Sequence, residues 1–410
     1  MIKSNFCKKC TYPVQAVNLR IHDDNVCSAC KVHEKNLSLG KVFWKKREQR
    51  LKKILSEYKK KNKSTYDCVI PVSGGKDSYY QTHIITKKYK LKPLLVTYDG
   101  NNFLPEAIHN RDQMKKYFDA DHIVWNVSEK ILKKVNKLAF IKMGDMNWQN
   151  HCGIFTAPII IAEKFNIPLV IWGESGGWDV SGMFSASDEV EFSARVRHEH
   201  DLRGFEWVDF AKEKKNKLNF KDFIWANYPS DERILKVGIR GLYIGNFFKW
   251  DGKKNADLSI RKYNWKVARK PFERTYRNYS NLDDRYENGV HDLMKFIKFG
   301  YGRCSDHTSK DIRNGYMSRK KAVSLVKKYD HIISKDLYHW LKYVNMNEST
   351  FWKIADTFRD PRVWWIKNNR WYKNNLWGGV SSYGKVHLNK NQIKSFNNRQ
   401  IKVLEKSQLS

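Results

Sequence analysis

The chain has 410 residues, 41% of them hydrophobic and 14% aromatic, enough apolar material for a sizeable core and too much for a disordered protein. Its formal net charge of +34 leaves two readings open: an anionic partner (nucleic acid, a nucleotide-linked sugar, an acidic subunit) or a Lys-rich solvated surface, since the cations run along the whole sequence. No apolar run approaches the roughly 20 residues of a membrane-spanning helix, and the opening residues lack a signal-peptide core, so no membrane contact and a cytoplasmic location are expected.

Residues 1–40 read as a small cysteine-bearing module. The spacing Cys7-x2-Cys10-x16-Cys27-x2-Cys30 is that of a four-thiolate zinc ribbon. A module this short has almost no core, so a bound Zn2+ would supply its folding energy. Four sulfurs close the coordination sphere, which makes the expected metal structural; a disulfide pair or an iron–sulfur cluster is the alternative. Residues 41–63 follow as a basic helical linker, eleven Lys/Arg against two Glu, with Leu51, Ile54, Leu55 and Tyr58 at helical spacing. A packed surface helix is the plainer reading than a nucleic-acid arm.

From 64 to about 205, short apolar strands at 68–72, 94–98, 122–127 and 168–173 alternate with helical stretches. That pattern predicts an α/β domain, a parallel sheet with helices on both faces. The first strand runs straight into Ser73-Gly74-Gly75-Lys76-Asp77-Ser78, and a helical stretch follows to about Tyr89. Adjacent glycines let the backbone approach a ligand, and the loop amides and helix N-terminus aim at one place, an anion site. Ser73 and Ser78 add hydroxyls and Lys76 a charge. Asp77 would repel a phosphate unless it holds Mg2+ or orients the loop. The loop does not follow the Walker spacing.

Further on, His151, Cys152 and Thr156 are placed just before an apolar helical stretch at 157–165, where His151 reads either as a structural cap or as a substrate-side residue. Gly173 and Glu174 close the fourth strand; Glu174 reads as a Mg2+ ligand, a substrate contact or a helix cap. After a helical stretch at 291–298 comes a polar cluster: Tyr301, Arg303, Asp306, His307, Asp311 and Arg313. The region 206–410 reads as mixed and then helical, with Ala322, Leu325 and Val326 on one helix and Phe351, Ile354, Ala355 and Phe358 on another.

The SGGKDS loop after such a strand resembles the pyrophosphatase loop of enzymes that cleave ATP to AMP and pyrophosphate. With the Cys7/Cys10 knuckle, the blocks at 72–78, 151–158, 167–174 and 298–303, Asp306-His307, the block at 311–313 with Gly315, and the stretch 328–330, the chain resembles the N-acetyl sugar amidotransferase family of the pseudaminic acid, legionaminic acid and acetamidino-mannuronate pathways. The resemblance spans about residues 7–365; Cys304 and the basic, Trp-rich tail after Arg362 depart from it.

It implies an adenine nucleotide alpha-hydrolase-like fold and ATP with Mg2+ as cofactors. ATP would lie against Ser73, Gly74, Gly75, Lys76, Asp77 and Ser78, with Thr97, Tyr98, Gly173 and Glu174 at the strand ends. Lys76, Asp77 and His151 would be catalytic. Arg303, Asp306, His307, Asp311 and Arg313 form either a solvated salt-bridge face or, with the arginines as forks, a clamp on an anionic, nucleotide-linked sugar. Ammonia would come from partner glutaminase and cyclase-like subunits, with nucleic acid not expected as a partner. Two rivals remain: a tRNA-modifying thiolase of the same loop class, with Cys152 and Cys304 as a sulfur-handling pair, and a non-enzymatic zinc-ribbon adaptor binding nucleic acid.

Overall fold

The computed structural model describes residues 6–100, 102–174, 181–284 and 286–408. Its centre is a five-stranded sheet, β1 (Cys68–Pro71), β2 (Pro93–Asp99), β3 (Asp121–Asn126), β4 (Leu169–Trp172) and β5 (Arg240–Tyr243), in the order β3-β2-β1-β4-β5. Every neighbouring pair is parallel, with Val69 opposite both Leu94 and Val170. The first four strands fall within two residues of their expected positions. β5 lies beyond 205, in the region read as mixed; four residues with a single glycine carry too little period-2 signal to stand out.

Alternation along the strands explains their unbroken apolar runs. Cys68 and Ile70 of β1 and Leu95 of β2 face one layer, with Leu51, Ile54 and Leu55 of α2 (Lys41–Lys61), the helix after α1 (Ser28–Ser38), packed there. Val69, Leu94 and Val96 face the other, against Ile159 and Ala162 of a long helix, Trp148–Lys164. β1 and β2 are covered by helices on both faces, so both phases of these strands must be apolar.

The helix after the loop, α3 (Lys76–His83), continues as a π-turn at Ile84–Lys88. The helix Pro105–Phe118 joins β2 to β3, and Glu129–Met143 precedes the long helix. That long helix begins at Trp148, not after Thr156 as expected: His151, Cys152 and Thr156 lie within it, and Pro158 is inside it too.

Beyond the sheet, the helices Glu287–Phe299, Asp336–Tyr343 and Glu348–Thr357 enclose a second core around Phe140, whose ring stacks on Phe351 at 5.0 Å. The chain then makes a three-stranded antiparallel sheet, Trp365–Lys367, Arg370–Asn374 and Val380–Lys385, before a last helix, Lys390–Gln408. The region read as mixed and then helical is largely helical, and this small sheet between its late helices is what that reading did not place. Among the described residues no helix is long and apolar enough to cross a membrane.

Candidate functional site

The reversal of strand order between β1 and β4 opens a crevice at the carboxyl ends of the sheet, where α/β folds bind ligands. The SGGKDS loop sits there. Gly74 has φ +79°, and a Cβ on it would lie 2.6 Å from the backbone nitrogen of Arg111, so only glycine fits. The Ser73 N–H donates to Ser78 Oγ at 3.0 Å and the Gly75 N–H to Ser73 Oγ at 3.3 Å. Trp265 Nε1 donates to the Gly74 carbonyl at 2.8 Å. The serine hydroxyls thus shape the loop from within. The N-terminus of α3 has no side-chain cap, which leaves first-turn amides to serve an anion.

Lys76 forms an ion pair with Asp77, whose second oxygen accepts Asn255 Nδ2 at 2.9 Å. Beside the loop is a cavity of about 210 Å³, lined by Ser73, Asp77, Ser78, Tyr98, Gly173 and Glu174. Sequence reading missed others on the same wall: Gln81, Asn150, Phe155, Trp172 and Asp283. Asp283 bonds to Ser73, and burial pushes its carboxyl above the usual range against the pull of Lys76 and Arg303. It comes from a loop far along the chain, with no motif to flag it. The apolar side, including Phe155 and Trp172, suits a base and ribose; the loop suits phosphates. Asp77, Glu174 and Asp283 are the carboxylates that would hold Mg2+. Thr97 does not line this cavity: its hydroxyl donates to the Val72 carbonyl at 2.6 Å and bonds His122 Nε2 at 2.8 Å, tying strands together.

A second cavity, about 360 Å³, opens on the other side of the first turn of the long helix; Asn150 lines the first and His151 the second. Its wall holds His151 and Arg303 together with Asp145, Arg203, His291, Lys295, Lys298 and Tyr301. Burial would raise the Asp145 carboxyl, but Arg203 and His291 outweigh it and hold it well below the usual range. Burial, aided by Arg203, His291 and Arg303, pushes His151 down to about 4 despite Asp145, so its imidazole is neutral at pH 7. Burial also lowers Lys298 to about 8.

Of the five residues read as a sugar clamp (Arg303, Asp306, His307, Asp311 and Arg313), only Arg303 lines this wall; its guanidinium pairs with Asp292 at 2.8 Å. The others share its helix, Arg303–Arg313, but face inward. Asp306 is buried against Lys295 and Tyr12, His307 bonds Thr275 at 2.7 Å, Asp311 pairs with Arg277 and Tyr276, and Arg313 lies over the Tyr12 ring at 5.8 Å.

The four cysteines of the N-terminal module are buried, their sulfurs all within 4.8 Å of one another. Cys7–Cys30 and Cys10–Cys27 are 3.9 and 3.6 Å apart, too far for disulfides and close to the edge, about 3.8 Å, of a tetrahedron with Zn–S bonds of ~2.3 Å. The donor set fits zinc. Cys152 and Cys304 belong to different surroundings, Cys152 beside Arg197 at 3.4 Å and Cys304 near Asp330. Burial raises both thiols, Cys152 to about 11, so neither is a ready nucleophile.

Comparison with known proteins bears on the same parts. Residues 273–376, which include Arg303 and its helix, match the C-terminal domain of WbpG-like LPS biosynthesis proteins. This bears out the family resemblance over the residues it covers. An uncharacterized protein of Methanocaldococcus jannaschii is 32% identical over 83 residues, 20% of this chain and 30% of that protein, so the match spans under a third of that relative. Among solved structures, an NH3-dependent NAD synthetase from Campylobacter jejuni aligns with TM-score 0.27 and 14% identity over 47% of this chain and 91% of that one. An NMN synthetase from Francisella tularensis aligns with TM-score 0.29 and 14% identity over 53% and 87%.

Proposed function

We propose that the protein is an ATP-dependent N-acetyl sugar amidotransferase that converts a sugar N-acetyl group to an acetamidino group, in the cytoplasmic assembly of a bacterial surface polysaccharide or flagellin glycan. The observation that carries this reading is the meeting of two cavities at one helical turn: Asn150 faces the loop that suits ATP, and His151 faces a wall of cations that suits an anionic sugar.

An acetamide carbonyl is a poor electrophile because the nitrogen lone pair is delocalised into it. Attack of its oxygen on the α-phosphorus of ATP, with pyrophosphate leaving and the N–H proton lost, gives an O-adenylyl imidate. Ammonia adds at that carbon and AMP departs with the oxygen, leaving the amidine. Lys76 and the first-turn amides of α3 would steady the departing pyrophosphate. Mg2+, when bound, neutralises phosphate charge, and Asp77, Glu174 and Asp283 would hold it. Neutral His151 can donate to, or accept from, the acetamide without adding charge to the turn. Arg303, with Lys295 and Lys298, would hold the anionic part of the sugar.

Ammonia would be delivered by a glutaminase and cyclase-like pair docked on the basic surface. Against the thiolase reading stand the separate, buried surroundings of Cys152 and Cys304. The test is incubation of candidate nucleotide-linked N-acetyl sugars with the protein, ATP, Mg2+ and ammonium. Mass spectrometry should show exchange of one oxygen for NH, with AMP formed in equal amount. AMP release without a modified sugar, across acidic and neutral N-acetyl sugars, would sink the proposal.

A further inference from the structure

We infer that Tyr12, from the cysteine module, is a positioning residue for the cationic wall of the second cavity, acting through Asp306 on Lys295. The inference rests on reading that cavity as the sugar site. The Tyr12 hydroxyl donates to Asp306 Oδ1 at 3.0 Å, and Asp306 Oδ2 accepts Lys295 Nζ at 2.5 Å and lies 3.8 Å from Arg303 Nη1. Lys295 and Arg303 line the cavity; Tyr12 and Asp306 stand behind them. A carboxylate with both oxygens engaged cannot turn freely, so the phenol sets where the Lys295 ammonium is held.

Tyr12 is itself fixed. It is 1% exposed, two residues from Cys10, with its ring edge-on to Tyr301 at 5.8 Å. Its neighbour Thr11 donates to the Ser305 carbonyl at 3.1 Å and bonds the Thr308 and Ser309 hydroxyls at 2.9 Å, on the helix that carries Asp306. Arg319 donates to the carbonyls of Cys7 and Cys10, gripping the first knuckle from outside. The module also supplies Val17 and Asn18 to the cavity wall, and the Val17 N–H donates to Tyr301 Oη at 3.1 Å. Plain packing would need only the apolar contacts with Phe299 and Ile312. Instead a buried hydroxyl meets a carboxylate that faces two cavity cations, Lys295 and Arg303. An anionic ligand then finds Lys295 already ordered, and the thiolate cluster, by holding Tyr12, holds that order.

The test compares full-length, zinc-loaded parent, Tyr12→Phe and Asp306→Asn. Acetylation of Lys295 by acetic anhydride, followed by peptide mass spectrometry, needs no turnover. It should speed up several-fold in both variants, while Lys298, held separately by the Met143 carbonyl at 2.8 Å, keeps its parent rate. In turnover, KM for the sugar should rise roughly ten- to hundred-fold in Tyr12→Phe, the weight of one hydrogen bond to a charged group, with kcat and the KM for ATP unchanged. Zinc content should stay at the parent value. If Lys295 in Tyr12→Phe is acetylated at the parent rate, or if zinc is lost or the KM for ATP rises in step, the inference is overturned. If the acetylation rates change as expected but no protein, parent included, modifies any sugar, the positioning stands and the enzymatic reading fails.

Discussion

Asn255 donates to the carboxylate of Asp77 at 2.9 Å from a helix, Gly252–Tyr263, that lies 178 residues further along the chain. The same helix supplies Ser259, whose hydroxyl donates to the Lys76 carbonyl at 3.3 Å. The phosphate loop is therefore braced from outside its own strand–loop–helix unit. Asp77→Ala should abolish pyrophosphate release in a protein whose thermal unfolding matches the parent. Asn255→Ala, which leaves the carboxylate present but less fixed, should cost roughly ten-fold, about 1.4 kcal/mol. Near-normal pyrophosphate release by a folded Asp77→Ala variant would remove the residue from the mechanism.

Gly74→Ala combines a left-handed backbone with a Cβ 2.6 Å from the Arg111 amide nitrogen. Strain of this kind costs on the order of 1–3 kcal/mol, and the backbone must shift to relieve it. Urea unfolding should show that loss, and ATP binding by calorimetry should weaken with it. Gly40→Ala, with open space around its Cβ, should stay within about 1 kcal/mol of the parent. Equal stability of the two variants would contradict the packing described for the loop.

The four buried thiolates should carry one zinc per chain, measured by elemental analysis of the purified protein. Changing Cys7 and Cys27 together to Ser removes half the donors, one from each knuckle, and should abolish binding. Because the module has little core beyond Tyr12, Ala16, Val26 and Ala29, loss of metal should expose the 1–40 segment to proteolysis before the sheet domain unfolds. Retention of zinc by the double variant would place the metal elsewhere.

Burial holds His151 near pKa 4 in the folded protein, against an ordinary value of 6.5. Between those values the unfolded chain takes up a proton that the folded chain refuses. The contribution to stability is therefore present above pH 6.5 and is lost as pH falls toward 4. His122, also pushed to about 4 by burial, acts in the same sense. Asp201 and Asp336 oppose them: burial raises both to about 7, so their contribution is full below the usual carboxylate range and is lost as pH rises through 7. In His151→Gln the slope of unfolding free energy between pH 4 and 6.5 should be shallower by up to one proton, about 1.4 kcal/mol per pH unit. An unchanged slope would mean that His151 titrates freely.

The proposed source of nitrogen is testable with the protein alone. High ammonium should support amidine formation, glutamine alone should not, and glutamine should become effective once a glutaminase–cyclase pair is added. If the basic surface docks that pair, glutamine-dependent turnover should fall with salt faster than ammonium-dependent turnover. Full glutamine-dependent activity of this chain by itself would end the partner hypothesis.

Local order in the sequence was enough for the features that need only neighbours. SGGKDS after an apolar strand, two CxxC knuckles sixteen residues apart, and solid apolar runs at 68–72 and 94–98 each carry their physics within a few residues, and the loop, the thiolate cluster and β1–β4 lie close to where that reading puts them. Folding alone decided which polar residues share a space. Arg303, Asp306, His307, Asp311 and Arg313 lie together in sequence, yet a helix turns 100° per residue, so Arg303 reaches the cavity while Asp306, His307 and Asp311 are spent on Lys295, Thr275 and Arg277. Conversely Asp145, Arg203 and the helix Glu287–Phe299, which carries both His291 and Lys298, are far apart in sequence, and Asp283 reaches the wall beside the SGGKDS loop from a distant turn. A motif records proximity along the chain; a charged wall is made by proximity in space, which only the packing of the helices around the sheet creates.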